Sequence, residues 1–483
     1  MPTPSPRRIV VIGAGLAGLA AAEAAADAGC EVILIEPSGG VGGVLGTVRR
    51  DGWLVERSAD SFLAARPEGI DLVHRLGLAA DLIGIAPGVR RALVLHRNRL
   101  VPVPAGFRLL APGRVDGILA TPLLSPPGRC RVLLERFLPA RPATVSDESL
   151  EQFAVRRLGR EAFERLVQPL ASGIWTADPA RLGMAAACPE FFEMERRHGS
   201  LWAGERARLR AAGSGEAASG ARYGQFATLA GGMESLPKAF AAQLAGRGVQ
   251  CITAAAEGIE PGPTVPPDSG RKAVWQVRLA RAADGAGPIE ADAVIVATPA
   301  KAAARLLRPL DGELADSLSG IEYAGSAIVS MGFRREDVSH PLDAAGLVVP
   351  RCEGRRILAV SFSSSKFPGR APDRHVLLRT FVGGALDPAT ATLPDDRLTA
   401  LVQMELESLL GARGTPALVQ IDRWNGAMPQ YQVGHRERIA TIHERVAKIP
   451  GIGLAGAAYE GVGIPQVIAS GRAAVEAVLA ATS

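Results

Sequence analysis

Three glycines and an acid at the head of the chain carry the first legible chemistry. Ile9-Val10-Val11-Ile12 runs into Gly13-Ala14-Gly15-Leu16-Ala17-Gly18, an alanine-rich segment extends to Ala28, and a second apolar run ends on Glu36. An apolar strand, a glycine loop, a helix and a second strand closing on an acid are the parts of a βαβ dinucleotide site. Gly13 serves the tight turn, Gly15 lets a pyrophosphate reach the backbone, and Gly18 lets helix and strand close on one another. The phosphates would face the free N–H groups and positive end of the helix. Glu36 would accept hydrogen bonds from the ribose hydroxyls of an adenosine.

A second glycine-rich turn lies near the other end, Gly453-Leu454-Ala455-Gly456-Ala457-Ala458-Tyr459-Glu460-Gly461-Val462-Gly463-Ile464-Pro465-Gln466. Pro465 suits the first turn of a helix, where its missing N–H costs nothing. That helix would point its positive end at a planar ligand, such as the N1/C2 carbonyl edge of a flavin. Together the two loops predict FAD stretched between them. NAD is the competing cofactor. An NAD(P)H-linked flavoenzyme needs a second phosphate loop after a strand, but Gly213-x-Gly215 has no strand before it and Gly383-Gly384 lacks a third glycine.

No Ser/His/Asp or Cys/His arrangement and no isolated carboxylate pair can be picked out. His198, His340 and His435 stand in polar contexts and read as surface or hydrogen-bonding groups. Hydride transfer to a flavin needs positioning and an apolar wall, so no residue is assigned as an acid or base. The five scattered cysteines form no C-x-x-C and the seven histidines no H-x-x-x-H, which predicts reduced thiols in a cytoplasmic setting and no bound metal.

The elements that must position these loops fill a chain of 483 residues, 47% of them hydrophobic, enough for two or three domains. Ser146 reads as a helix N-cap with Asp147 and Glu148 in the first turn. Leu150, Phe153, Ala154 and Leu158, then Phe163, Leu166, Val167 and Leu170, keep helical spacing. Residues 205–222 read as a solvated connection. Leu236 to Leu244 predicts a helix, Val249–Ile252 and Ala291–Thr298 predict strands, and 323–383 alternates as a mixed sheet does. No internal repeat is visible. The N-terminus lacks the apolar core of a secretory signal, and no run approaches the ~18 uninterrupted apolar residues of a membrane span. A net charge of +5 without basic runs or aromatic-rich motifs argues against nucleic acid. It favours small anions or an anionic membrane surface.

The chain resembles the oxygen-dependent protoporphyrinogen/coproporphyrinogen oxidase family of monoamine-oxidase-like flavoproteins. The resemblance runs from Asp60-Ser61-Phe62-Leu63 through Leu100-Val101-Pro102-Val103-Pro104-Ala105-Gly106 and Gln168-Pro169-Leu170-Ala171-Ser172-Gly173-Ile174-Trp175. It continues in Leu229-Ala230-Gly231-Gly232-Met233, Lys366-Phe367-Pro368-Gly369-Arg370-Ala371-Pro372, Phe381-Val382-Gly383-Gly384, Met428-Pro429-Gln430-Tyr431 and Gly461-Val462-Gly463-Ile464-Pro465. It implies FAD held by Gly13, Gly15, Gly18, Glu36, Gly42, Gly43, Ser58, Ala59, Asp60, Ser61, Ala256, Trp424, Ala457, Val462, Gly463 and Ile464. It also implies a porphyrinogen pocket lined by Arg91, Gly173, Val348, Ser361 and Phe381. The chain departs from the pattern at Val44-Leu45, where relatives usually place a basic residue, at Ser58-Ala59 in place of Gly-Pro, and at Ala345-Gly346 in place of Gly-Phe-Gly.

The implied fold is α/β, with a discontinuous Rossmann-like FAD-binding domain over 1–90, 223–300 and 425–483. A mixed-sheet substrate domain would take 91–96, 211–222 and 301–424, and a helical membrane-associating domain 97–210. The implied activity is six-electron oxidation of protoporphyrinogen IX to protoporphyrin IX with molecular oxygen as acceptor, in haem biosynthesis. The alternative is coproporphyrinogen III oxidation. Implied partners are the porphyrinogen, oxygen, a membrane surface met peripherally on its cytoplasmic face, and a second copy of the chain. Further readings are an amine oxidase, disfavoured by only four tyrosines for an aromatic cage, a carotenoid desaturase, and a non-catalytic FAD-binding scaffold. Ala457, Ala458 and Tyr459 offer no cysteine or histidine for a covalent flavin link. Acid precipitation should therefore release the yellow colour into the supernatant, whereas colour retained in the pellet would contradict non-covalent FAD.

Overall fold

The computed structural model describes residues 6–142, 144–212, 226–262, 275–280 and 287–482. Ile9 to Ile12 are all buried because their strand, Arg8–Ile12, lies inside a parallel sheet covered on both faces. The sheet order is Gln250–Thr253, Glu31–Glu36, Arg8–Ile12, Ala293–Val296, Ile452–Leu454. Val10 pairs with Ile33 on one side and Val294 on the other, and Val294 pairs in turn with Ile452. Chain segments from both ends and the middle thus share one register, and the nucleotide domain is discontinuous.

Helices Leu16–Asp27, Ser235–Gly246 and Ile464–Thr482 pack one core on the first face. Helices Ala300–Leu307 and Gly312–Ser319, with the antiparallel strands Ala256–Pro261, Trp275–Leu279 and Ile289–Ala291, pack another on the second. Ile464–Thr482 is long and apolar enough to cross a membrane. Here its Ile468, Val475 and Val478 are buried in the first core.

The second sheet has seven strands, in the order Leu418–Pro429, Tyr323–Arg334, His375–Gly383, Ile357–Phe362, Gly346–Val348, Ala92–His96, Arg99–Pro102. Every pair is antiparallel except Gly346–Val348 with Ala92–His96. One face is an apolar core (Leu95, Val329, Leu347, Val360, Leu378) covered by helix Asp395–Leu410. The strand Arg99–Pro102 carries this sheet six residues beyond the boundary expected after residue 96. The pairing Val94↔Val101 explains why: it half-buries Leu100 and Val101, whose strand character the flanking Arg99 and Pro102 conceal.

The rest of the 103–212 segment is largely helical. The helix expected at Ser146 begins later. Ser149 is the N-cap of Leu150–Leu158, its side chain accepting from Gln152 N–H while the Gln152 side chain accepts from the Ser149 N–H. Asp147 instead ties loops together, accepting from the N–H groups of Ala185 (2.9 Å) and Gly434 (3.2 Å). Arg157 is fully buried against Glu135 (2.7 Å) and Glu195 (3.2 Å). The expected connection 205–222 is helical as far as Ala212, and the remainder lies outside the described residues.

A Cβ built on Gly18 would lie 1.8 Å from the Gly13 carbonyl oxygen. Gly18→Ala should therefore destabilise the protein by at least about 1–3 kcal/mol, read as a lower urea midpoint. An unchanged midpoint would mean the turn yields without cost.

Candidate active site

The five parallel strands deliver their carboxyl ends to one edge, where open α/β sheets bind ligands. There the loops interlock: Gly13 N–H donates to Ile35 O (2.8 Å), Ala297 N–H to Ile12 O (2.8 Å) and Ala455 N–H to Val296 O (3.1 Å). Gly13 holds φ +107°, and a Cβ there would meet Ala297 O at 2.8 Å. Gly15 caps the first helix without a side-chain bond, and a Cβ there would meet no atom within 4 Å. Gly42 N–H donates to Ala14 O (2.8 Å), and the Cβ position of Gly43 lies 3.4 Å from Gly15 Cα. Two glycine turns therefore meet at a helix N-terminus whose N–H groups have no side-chain cap, with open space above Gly15. Beside Gly13, Thr298 Oγ1 is buried without a hydrogen-bond partner. A cradle with room for a diphosphate and an orphaned hydroxyl beside it fit a dinucleotide.

The Glu36 carboxylate accepts from Ala14 N–H (2.9 Å), Ser38 N–H (3.0 Å) and the Ser38 hydroxyl (2.7 Å). It thus braces the glycine loop, a role the sequence reading did not assign, and keeps lone pairs for further donors. Ala256 opens the strand that follows Gln250–Thr253, whose Thr253 stands opposite Glu36.

The Arg57–Ser61 segment lies against the second face of the large sheet. Trp424 Nε1 donates to Arg57 O (2.8 Å), Arg57 Nε to Asp422 (2.8 Å), Arg379 Nη2 to Ser58 O (2.5 Å) and the Ser58 hydroxyl to Val44 O (2.6 Å). Past Ala59, the Asp60 carboxylate receives Lys366 Nζ at 3.0 Å on each oxygen, Arg379 at 3.3 Å and the Ser61 hydroxyl at 2.7 Å. Burial alone would raise the Asp60 pKa, but Lys366 and then Arg379, with the hydrogen bonds, outweigh it and hold the carboxyl well below its usual range.

The C-terminal loop is braced from below. Tyr431 OH donates to Ala457 O (2.7 Å), and the His435 ring stacks on Tyr431 with centroids 4.1 Å apart. Burial lowers the His435 pKa, so the ring is neutral at pH 7, with Nε2 3.1 Å from Tyr459 O. Val462 and Gly463 lead into the last helix, where Val467 N–H donates to Gly463 O (2.9 Å) just past Ile464.

Four of the five expected pocket residues come together. Val348 pairs with Ala359, Ala359 with Phe381, and Ser361 with Gly346, so Val348, Ser361 and Phe381 share one face of the large sheet. Gly173, exposed on helix Gln168–Trp175, faces this surface, and a Cβ there would touch only Val348, at 4.0 Å. Phe381 and Val462 pack against the same apolar cluster, which joins this sheet face to the C-terminal glycine loop. Ser361 Oγ is buried without a partner. Arg91 stands at the rim, half exposed, its guanidinium bound to the Asp343 carboxylate and to Asp343 O (3.0 Å). Sequence reasoning missed Thr298, Lys366, Arg379, Tyr431 and the burial of His435. Among the described residues no His/Cys/Asp/Glu cluster could hold a metal.

Residues 16–479 match the flavin-containing amine oxidoreductase family. The chain is 34% identical to coproporphyrinogen III oxidase of Bacillus subtilis over 97% of each protein. It is 29% identical to the chloroplastic protoporphyrinogen oxidase of Nicotiana tabacum, over 89% of this chain and 78% of that one. A crystal structure of a provisionally named protoporphyrinogen oxidase from Exiguobacterium sp. 255-15 superposes with a TM-score of 0.83, at 29% identity and 99% coverage of both chains.

Asp60→Asn would leave Lys366 and Arg379 short of a buried counter-charge, and losses of about 3–5 kcal/mol are usual for such a break. Because the folded carboxyl titrates below its unfolded value, its contribution is present above the unfolded pKa and is lost as pH falls. The stability gap between wild type and variant should be full at pH 7 and shrink in acid. A gap independent of pH would contradict the ion-pair assignment.

Proposed function

Because the chain belongs to the flavin-containing amine oxidoreductase family, we propose that this FAD enzyme oxidises a porphyrinogen to the porphyrin. Its two candidate substrates are protoporphyrinogen IX and coproporphyrinogen III. The observation that carries the reading is the grouping of exposed Gly173 beside the Val348–Ser361–Phe381 face of the large sheet, where Phe381 packs against the same apolar cluster as Val462 of the C-terminal loop. A largely apolar sheet face with no side chain at the neighbouring Gly173 suits one face of a flat macrocycle. The 34% identity to a coproporphyrinogen III oxidase, against 29% to a protoporphyrinogen oxidase, favours the substrate with more carboxylates.

Bound FAD supplies a two-electron acceptor at the inner end of the cleft. The chain's own residues bind and orient. Gly13, Gly15, Gly42 and Gly43 would hold the diphosphate, Glu36 would take the ribose hydroxyls, and the Ser58–Ser61 stretch, Trp424, Ala457 and Val462–Ile464 would lie about the ring. The apolar walls exclude water and hold the macrocycle in one pose, where proximity does most of the catalytic work. Six electrons and six hydrogens leave in three pairs, and three oxygen molecules become three hydrogen peroxide molecules. Porphyrin fluorescence with three peroxides per porphyrin should appear with one of the two substrates. Failure of the FAD-loaded protein to oxidise either would refute the reading.

Arg91 would hold a substrate carboxylate, with Asp343 occupying its guanidinium until the substrate arrives. Arg91→Ala should raise KM on the order of tenfold to several hundredfold, from the ~1.5–3 kcal/mol of a charge-assisted bond. The turnover number should fall less, since the bond exists in ground and transition states alike. Asp343→Asn should lower KM by freeing the arginine. Wild-type kinetics in both variants would leave the carboxylate anchor elsewhere.

The helical segment carries an exposed apolar set, Leu119, Leu134 and Phe137, the last 69% exposed with Arg136 4.7 Å over its ring. Apolar tips beside cations suit the interface of an anionic bilayer, met peripherally. Phe137→Glu should lower binding to anionic vesicles, and high salt should release the wild type. Binding unaffected by either would remove this face from the interface.

A further inference from the structure

Lys366, Arg379 and Asp60 form a charged group that the substrate cleft does not use. Arg379 is 1% exposed, and the side chains of Lys366 and Asp60 are only 12% and 14% exposed. The three residues stand far apart in the chain, on the Ser363–Lys366 helix, the His375–Gly383 strand and the Arg57–Ser61 segment. Two neighbouring pairs flank them: Arg370 with Glu56 at 3.6 Å and Arg57 with Asp422 at 2.8 Å. Each of those pairs cancels. Four cations then face three carboxylates, which leaves one positive charge in excess. Arg379 Nε is moreover buried with no hydrogen-bond partner, so the guanidinium is not fully engaged by the protein. A buried charge is weakly screened and acts over several ångströms.

We propose that Lys366 and Arg379 are positioning residues that hold the Ser58–Ser61 stretch through Asp60 and Ser58 O, and that their excess charge favours electron uptake by the bound flavin. The inference rests on the reading that this stretch lies against the flavin ring. Charge near a flavin tunes its electronics because reduction adds electron density to the ring. Asp60 alone would oppose reduction. Arg379 neutralises it, and Lys366 gives the group a net positive charge while keeping the carboxylate paired.

Removing Lys366 leaves the Asp60–Arg379 pair intact and the group neutral, so Lys366→Met should fold. The test is the equilibrium of FAD-saturated protein with a redox dye, measured anaerobically without substrate. The reduced-to-oxidised flavin ratio at a fixed dye potential should fall about tenfold in Lys366→Met, equal to ~30 mV for a two-electron couple. Lys366→Arg should restore it, and Lys448→Met, an exposed control, should leave it unchanged. Lys366→Gln, which keeps a donor to Asp60 without the charge, should match Lys366→Met and serves if that variant is poorly folded. An unchanged ratio in the neutral variants overturns the proposal, as does Lys366→Arg behaving like Lys366→Met. Loss of FAD from folded Lys366→Met also overturns it, because the lysine would then hold the cofactor rather than tune it. A wild type that takes up no FAD would instead refute the flavin reading beneath it.

Discussion

The Cβ position of Gly18 lies 1.8 Å from the Gly13 carbonyl oxygen, and that of Gly471 lies 2.1 Å from the Ala17 carbonyl oxygen. Two helices from opposite ends of the chain thus approach so closely that only hydrogen fits between backbones. The first contact sets the helix N-terminus directly over the end of the strand Arg8–Ile12. The second clamps the C-terminal helix onto the first, which brings the Ala455–Gly463 loop to the same sheet edge as Gly13. Without those contacts the two glycine loops could not face a single ligand, because 435 positions separate Gly18 from Gly453 in sequence. The alanine-rich composition of both helices follows from the same geometry.

The large sheet solves a different problem. Its first face is dry and covered by Asp395–Leu410. Its second must hold an apolar slot at one end and a charged segment at the other. Alternation along the strand His375–Gly383 separates the two faces: Leu378 and Val382 point into the core, while Arg379 and Phe381 share the opposite side. Phe381 thereby joins an apolar cluster while Arg379, two residues away, grips Ser58 O and Asp60. Such buried charges are retained at a desolvation cost, and here they fasten an irregular segment that has no strand partners of its own.

The first βαβ unit, the parallel strands and the C-terminal strand and helix were legible because periodicity and glycine spacing are local signals. The second-sheet strands were legible as a class, but the strand Arg99–Pro102 was hidden by its arginine and prolines. Ser146 reads as the cap although Ser149 is the one observed, because a sequence shows candidate oxygens but not which backbone N–H they face. The pairing of Lys366 with Asp60 spans 306 positions and that of Arg91 with Asp343 spans 252, so neither follows from spacing. His435 reads as polar in sequence, yet its ring is buried on its near neighbour Tyr431 and against Tyr459 O of the C-terminal loop, a contact made only when that loop packs down. The grouping of Gly173, Val348, Ser361 and Phe381 came through family resemblance, since their cleft is assembled from four separate elements.

The account stands on one claim, that electrons pass from a porphyrinogen in this cleft to FAD held by the two glycine loops. Anaerobic titration of the FAD-loaded protein tests it most directly. A six-electron donor should bleach the flavin absorbance completely at one-third of an equivalent of coproporphyrinogen III or protoporphyrinogen IX, with porphyrin absorbance rising in step. Flavin that stays oxidised with an excess of both porphyrinogens, while dithionite still bleaches it, would contradict the account.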